Sequence, residues 1–275
     1  MMIADGQVHI WKANTPARPW APCFVPAHRA EPLSADGLLA EMDQAGVQRA
    51  VLIVPPWEGY CNELPLEAAR AHPNRLGLMG RLAVECAESK SLIESWMACQ
   101  GMLGLRLTFH LPSQRPWFTD GTADWVWEAA ERLQIPIMVL TPGLLPAMDR
   151  IAERHPQLKL CIDHLALVSG VKDDAAFGDL PNLLALARRP KVTVKAGAIP
   201  NYSSEPYPYR GLHRYLRQVY DAFGPDRIFW ASDLTRLTCS YRQCVTLFTE
   251  ELSFLSPRDK ELIMGEAMCR WLNWK

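Results

Sequence analysis

Ile228-Phe229-Trp230-Ala231-Ser232-Asp233 is the stretch on which the reading of this chain turns. An apolar run of strand type ends directly in a polar pair, and the first such run of the chain ends the same way, in Gln7-Val8-His9. Between them, runs of the same type recur at 50–54, 76–81, 102–107, 136–140, 158–163 and 191–195, with the outermost two at 3–9 and 227–231. Segments of helical spacing separate them, such as Trp125, Val126, Ala129, Leu133 and Leu212, Tyr215, Leu216, Val219, Phe223. Eight alternating units imply a parallel sheet that can close, so the pattern predicts a (β/α)8 TIM barrel forming a single domain over residues 1–275. No G-x-G-x-x-G turn supports a dinucleotide fold instead. Chemistry in such barrels sits at the rim where the strands end, which is where Asp233 falls.

Local signals agree with this division. Gly46 and Gly101 stand between helical patterns and strands, where left-handed caps are expected, and Ser256-Pro257-Arg258-Asp259 has the form of a helix start. Two connections are long for such a fold, residues 12–31 and 201–210. Both follow strands, so both are candidate lids over the rim.

Composition narrows the partners. Hydrophobic residues make up 49% and charged residues 21%, enough apolar material for a core, and a net charge of -1 gives no basic face for nucleic acid or an anionic membrane. A small-molecule substrate is expected, and a homo-oligomer is left open. The start lacks the pattern of a secretory signal and no apolar run is long enough to span a bilayer, which points to the cytoplasm. The eight cysteines include no C-x-x-C pair and are expected to be reduced and mostly buried.

Side chains alternate along a strand, so parity nominates the rim residues. Gln7 and His9 project together. His164 shares a face with Leu160 and Ile162, and Asp233 lies two residues past Ala231. In the fourth strand Leu103, Leu105 and Leu107 form the face toward the helices, which turns Arg106 inward, where a substrate carboxylate or an internal aspartate is its expected partner. Lys195 ends the seventh strand, either as a second anion contact or as a rim lysine reaching for water. His28 and His110 are placed to reach the mouth.

These residues carry a family resemblance. Asp5-Gly6-Gln7-Val8-His9-Ile10-Trp11 resembles the opening D-x-H-x-H-x-W of the amidohydrolase-2 branch of the amidohydrolase superfamily. Cys161-Ile162-Asp163-His164 resembles its I-D-H motif, Trp230-Ala231-Ser232-Asp233 its W-G-S-D, and Gly265-Glu266-Ala267 its G-N-A. Within that branch the chain is similar to the lactonase-like group that includes 2-pyrone-4,6-dicarboxylate lactonase, fuconolactonase-like enzymes and galactarolactone isomerase. The resemblance implies a hydrolase or isomerase acting on a small carboxylated lactone, with His9, His164 and Asp233 at the reaction centre.

Two positions depart from the family pattern. The first histidine of H-x-H is Gln7, and Thr141-Pro142 stands where many relatives have a histidine after strand five. A binuclear metal centre is thereby excluded. The expectation is metal-independent lactone hydrolysis with no cofactor. Asp233 acts as base, His9 and His164 donate to the carbonyl oxygen with Gln7, and Arg106 binds a carboxylate, helped by Lys195 or Arg236. Thr141 is placed among the substrate contacts. The alternative cofactor is a single divalent metal such as zinc on His9, His164 and Asp233. The rival functions are a decarboxylase or isomerase of a carboxylated ring, or a degenerate barrel that only binds its ligand.

Overall fold

The computed structural model describes residues 1–22, 26–109 and 111–275. Eight strands, β1 (Ala4–Val8), β2 (Arg49–Ile53), β3 (Leu76–Gly80), β4 (Met102–Thr108), β5 (Ile137–Leu140), β6 (Leu160–Ile162), β7 (Val192–Gly197) and β8 (Ile228–Ala231), pair in parallel in chain order. Helices pack outside them. This is the expected barrel, with strand ends shifted by a residue or two.

Each strand is buried on both faces because the helices cover one and the barrel interior the other. On β5, Ile137 and Val139 join the outer core while Met138 joins the inner one. The inner core also holds Val51, Ile53, Met79, Cys161 and Phe229, and the C-terminal segment closes its floor with Leu262, Ala267, Met268 and Leu272. The opposite end, where the strands finish, is left open.

Helix Ala35–Ala45 illustrates how the outer layer attaches. Ser34 caps its start by accepting from the Gly37 amide, and Gly46, at φ 77°, ends it. Leu38, Met42 and Ala45 form its buried stripe, and each large side chain removed from water contributes roughly 1.5–3 kcal/mol. Gly101 is also left-handed, at φ 91°, although the preceding helical segment already stops at Ala98. The capping box of Ser256 and Asp259 forms as expected.

Two register shifts decide what faces inward. Between Asp5 and Val8, β1 carries one residue more than β2, so Gly6 packs against Lys195 and Met268 inside while Gln7 and His9 still turn to the mouth. A similar shift between β3 and β4 places Leu103 in the inner core, whereas Leu105 and Leu107 face the helices. Simple alternation therefore misplaces Leu103 but keeps Arg106 inward.

The ring is closed between β8 and β1 by side chains as well as backbone. The buried Asp5 carboxylate accepts from the amides of Gln7 (3.0 Å) and Ser232 (2.9 Å), from the Ser232 hydroxyl and from Tyr241 Oη (2.7 Å). The Asp233 amide donates to the Gln7 carbonyl at 3.0 Å. The described cysteines are free thiols, yet only Cys161, Cys244 and Cys269 are buried; Cys61 and Cys86 are exposed on loops, against the expectation that most lie inside. No described helix is long and apolar enough to cross a membrane.

Candidate active site

Backbone turns at the rim, rather than strand parity alone, bring the polar groups together. Asp233 follows β8 in the left-handed region at φ 51° and ψ 47°. A non-glycine residue there costs on the order of 1–3 kcal/mol, and the Asp5 cluster and the bond to Gln7 hold it in place. Parity also fails for His164, which an extended strand would aim at the helices beside Leu160 and Ile162. Instead the chain turns left-handed from His164 (φ 51°) through Leu165 and Ala166, and the imidazole swings over the mouth. Gly197 on β7 leaves room for it, since a Cβ there would lie 2.7 Å from His164 Nδ1.

The result is a buried carboxylate among polar partners. Asp233 Oδ1 lies 3.1 Å from His9 Nε2, and Oδ2 lies 3.8 Å from His164 Nε2 and 3.2 Å from Arg236 Nη1. Burial pushes the Asp233 carboxyl up, but the bond from His9 and the charges of His9, His164 and Arg236 overcome it and hold the group well below the usual carboxylate range. It is ionised at neutral pH.

Hydrogen-bond partners fix the tautomers, because a carbonyl only accepts. His9 Nδ1 donates to the Ile53 carbonyl at 2.8 Å, which turns Nε2 toward Asp233. His164 Nδ1 donates to the Gly197 carbonyl at 3.2 Å, so in the neutral ring Nε2 is a lone pair, and it accepts from the Gln7 amide at 3.0 Å. Burial lowers His164 to about 4 despite the nearby carboxylates of Asp233 and Asp163, so the neutral form prevails. His164 then has no free N–H for a carbonyl oxygen, contrary to its expected donor role. It orients Gln7, whose second amide hydrogen remains available.

A cavity of about 610 Å³ opens onto this cluster. Gln7, His9, His164, Asp233, Arg106 and Arg236 all line it, which brings six of the eight nominated residues together. The other two lie elsewhere. Lys195 is fully buried, not at the rim, with Nζ 2.6 Å from Asp163 Oδ1 and 3.3 Å from the Gly6 carbonyl. Thr141 is buried with no hydrogen-bond partner for its hydroxyl among the described residues, and Leu140 lines the cavity in its place.

Of the two partners open to Arg106, the structure supplies the internal one: Nε pairs with Asp163 Oδ2 at 2.5 Å. Asp163 is thus shared by two cations. Burial pushes its carboxyl up, and Arg106 and Lys195 more than reverse this. Arg106 Nη1 donates to the Leu107 carbonyl, which leaves the rest of the guanidinium facing the cavity. Arg236 also donates to Ser169 Oγ at 2.9 Å, tying the loop after β8 to the loop after β6.

Two contributors were not nominated. Arg81, just past β3, is buried, lines the cavity and donates to Thr108 Oγ1 at 3.3 Å; its inward parity with Met79 was the available signal. Asp163 was visible only as part of a motif. His28 does reach the mouth, with Nδ1 2.8 Å from Thr235 Oγ1 and its ring edge-on to His9 at 5.4 Å. Burial lowers it to about 3, helped by repulsion from His9. His110 lies outside the described residues. The first long loop is pinned by Arg18 to Glu58 and by Ala21 to the Trp57 carbonyl (2.8 Å), and it places Pro26, Ala27 and His28 over the mouth; the second contributes Asn201.

For a metal, the grouping differs from the expected one. Ligand atoms of His9, His28 and Asp233 lie within 4.8 Å of one another, whereas the His164 lone pair is engaged by Gln7. Two imidazoles and a carboxylate suit a zinc-type ion.

Comparison with known proteins agrees with this architecture. Residues 4–270 match the amidohydrolase profile. The L-fucono-1,5-lactonase of Burkholderia ambifaria is 27% identical over 241 residues, 83% of this chain and 79% of the relative. Among solved structures, an amidohydrolase of Burkholderia multivorans with bound Zn superposes with a TM-score of 0.83 at 18% identity over all of both chains. A probable 2-pyrone-4,6-dicarboxylic acid hydrolase of Acinetobacter baumannii, with citric acid bound, gives 0.79 at 17% identity over 99% of this chain and 100% of its own. At such identities the structural likeness speaks for the fold, while the profile covers nearly the whole length. By that match the chain belongs to the amidohydrolase family and is an enzyme of hydrolase type.

Proposed function

We propose that this enzyme opens a small carboxylated lactone by attack of water and needs no metal to do so. The observation that carries the reading is the ionised, buried Asp233 beside His9 and Gln7 at the floor of a cavity lined by arginines. Similarity to an L-fucono-1,5-lactonase supports lactone chemistry. Arg106, Arg236 and the buried Lys195 outnumber the carboxylates of Asp163 and Asp233, so the cavity favours an anionic substrate.

In this mechanism Asp233 takes a proton from the water as its oxygen bonds to the lactone carbonyl carbon. The oxygen that gains charge receives the second amide hydrogen of Gln7 and, from a protonated His9, the Nε2 hydrogen. Collapse breaks the ring C–O bond, and the proton on Asp233 passes to the departing oxygen. A carboxylate held so far below the usual range is a weak base. A substrate carboxylate that pairs with Arg236 draws one stabilising charge away from Asp233 and strengthens it. A divalent ion on His9, His28 and Asp233 would polarise the carbonyl as a Lewis acid.

Asp233→Asn tests the assignment. General acid–base groups contribute about 10²–10⁴-fold, so kcat for acid release from a responsive lactone should fall by at least that range's lower end while the melting curve stays cooperative. Near-wild-type turnover refutes it.

A further inference from the structure

We infer that His28, carried by the first long loop, is a catalytic residue that seats the attacking water against Asp233. The inference deepens the proposal that Asp233 activates water, and rests on it.

Spacing carries the argument. The polar partners of the Asp233 carboxylate are His9, His164 and Arg236, so among the described residues His28 makes no direct bond to it. A ring nitrogen of His28 nevertheless lies within 4.8 Å of both a carboxylate oxygen of Asp233 and a ring nitrogen of His9. One water making two hydrogen bonds of about 2.8 Å at a tetrahedral angle joins atoms about 4.6 Å apart. The gap is too wide for a direct bond and suits a single bridging water.

The imidazole is held for this task. His28 Nδ1 is engaged by the Thr235 hydroxyl at 2.8 Å, which leaves Nε2 as the nitrogen free to bind a small molecule in the cavity. A hydroxyl can donate or accept, and water can match whichever role Nε2 is left with. The ring packs edge-on against Trp57 at 4.8 Å and His9 at 5.4 Å, so its orientation is fixed although it stands on a loop. Burial and repulsion from His9 hold it down at about 3, which keeps it uncharged at neutral pH and leaves the negative charge of Asp233 to the water.

A second holder matters because Asp233 alone fixes only one hydrogen of the water. With His28 as well, an oxygen lone pair is aimed at a carbonyl carbon whose own oxygen lies against Gln7 and His9. Strand and loop divide the work. The strand residues receive the oxygen that gains charge, and the loop histidine places the nucleophile.

The test compares two variants on the carboxylated lactone that the wild type opens fastest from a panel. His28→Phe keeps a ring against Trp57 and loses both nitrogens, whereas His28→Gln keeps a hydrogen-bonding end; His28→Leu replaces the phenylalanine if that variant does not fold. In His28→Phe, kcat should fall about a hundredfold with KM within about threefold, and His28→Gln should regain about tenfold of the loss. The pH profile of kcat should keep its wild-type shape in both, because the ring has no charge to lose. A His28→Phe enzyme whose kcat stays within about twofold of the parent, or whose defect is confined to KM, overturns the inference and leaves Asp233 as the base. So does a His28→Gln enzyme as impaired as His28→Phe when both melt cooperatively. If Asp233→Asn retains turnover, or the wild type opens no lactone of the panel, the hydrolytic reading falls and this inference with it.

Discussion

Lys195→Met separates a buried structural cation from a substrate contact. The substitution keeps a long apolar stem and removes only the ammonium, which lies 2.6 Å from Asp163 and is shielded from solvent. Removing one partner of a buried pair costs about 3–5 kcal/mol because the other charge is left unmatched. Asp163 keeps Arg106 at 2.5 Å, so the expected loss is near the lower end, about 3 kcal/mol. For a chain of this size that corresponds to a fall in Tm of roughly 6 °C, at about 2 °C per kcal/mol. Urea and thermal melts measure it. Asp163→Asn should cost more, since it strands two cations, and the double variant should be more stable than the sum of the single losses predicts. A Lys195→Met protein as stable as the parent but with a greatly raised KM for a carboxylated lactone would refute the reasoning and put Lys195 in contact with substrate.

Further expectations follow from the rim and the seam. Gly197→Ala puts a methyl 2.7 Å from His164 Nδ1, so kcat should drop about a hundredfold, as for a roughly 1 Å misplacement, while circular dichroism stays native. Tyr241→Phe removes a 2.7 Å bond to the Asp5 carboxylate and should cost about 1.5–3 kcal/mol in urea melts with turnover preserved. His164 titrates near 4 when folded against an ordinary 6.5, so the unfolded chain binds the extra proton between those values. Its contribution, at most about 3 kcal/mol, is complete above pH 6.5 and is lost as pH falls toward 4. Melts of the wild type and His164→Asn across that window should diverge by this amount, and parallel profiles would remove the assignment.

The barrel was legible because its signals are periodic: apolar runs of strand length, helical stripes between them, and caps such as Ser256-Pro257 recur in phase along the chain. The convergence of His9, His164 and Asp233 was legible as motifs in order. What alternation could not supply was direction after the strands end. His164 reaches the mouth only through a left-handed turn, and Leu103 enters the inner core only through a register shift, neither of which residue counting registers. Lys195 was misread at the rim because a lysine at a strand end commonly finds water; its partner Asp163 lies just past the end of β6, so the pairing depends on tertiary proximity. His28 shows the converse. A long loop carries no period, and its place beside His9 is set by a hydroxyl 207 residues further on.

The seam between β8 and β1 has a consequence for assembly of the chain. Asp5 waits for donors 227 and 236 residues later in the sequence, so the outer edge of β1 has no partner until almost the whole polypeptide has emerged. An uncovered strand edge is a template for pairing with other chains, and contacts of such long range form late. Synthesis therefore passes through an interval in which seven-eighths of a barrel exposes a sticky flank. Weakening the Asp5 cluster should therefore show in yield and aggregation during expression.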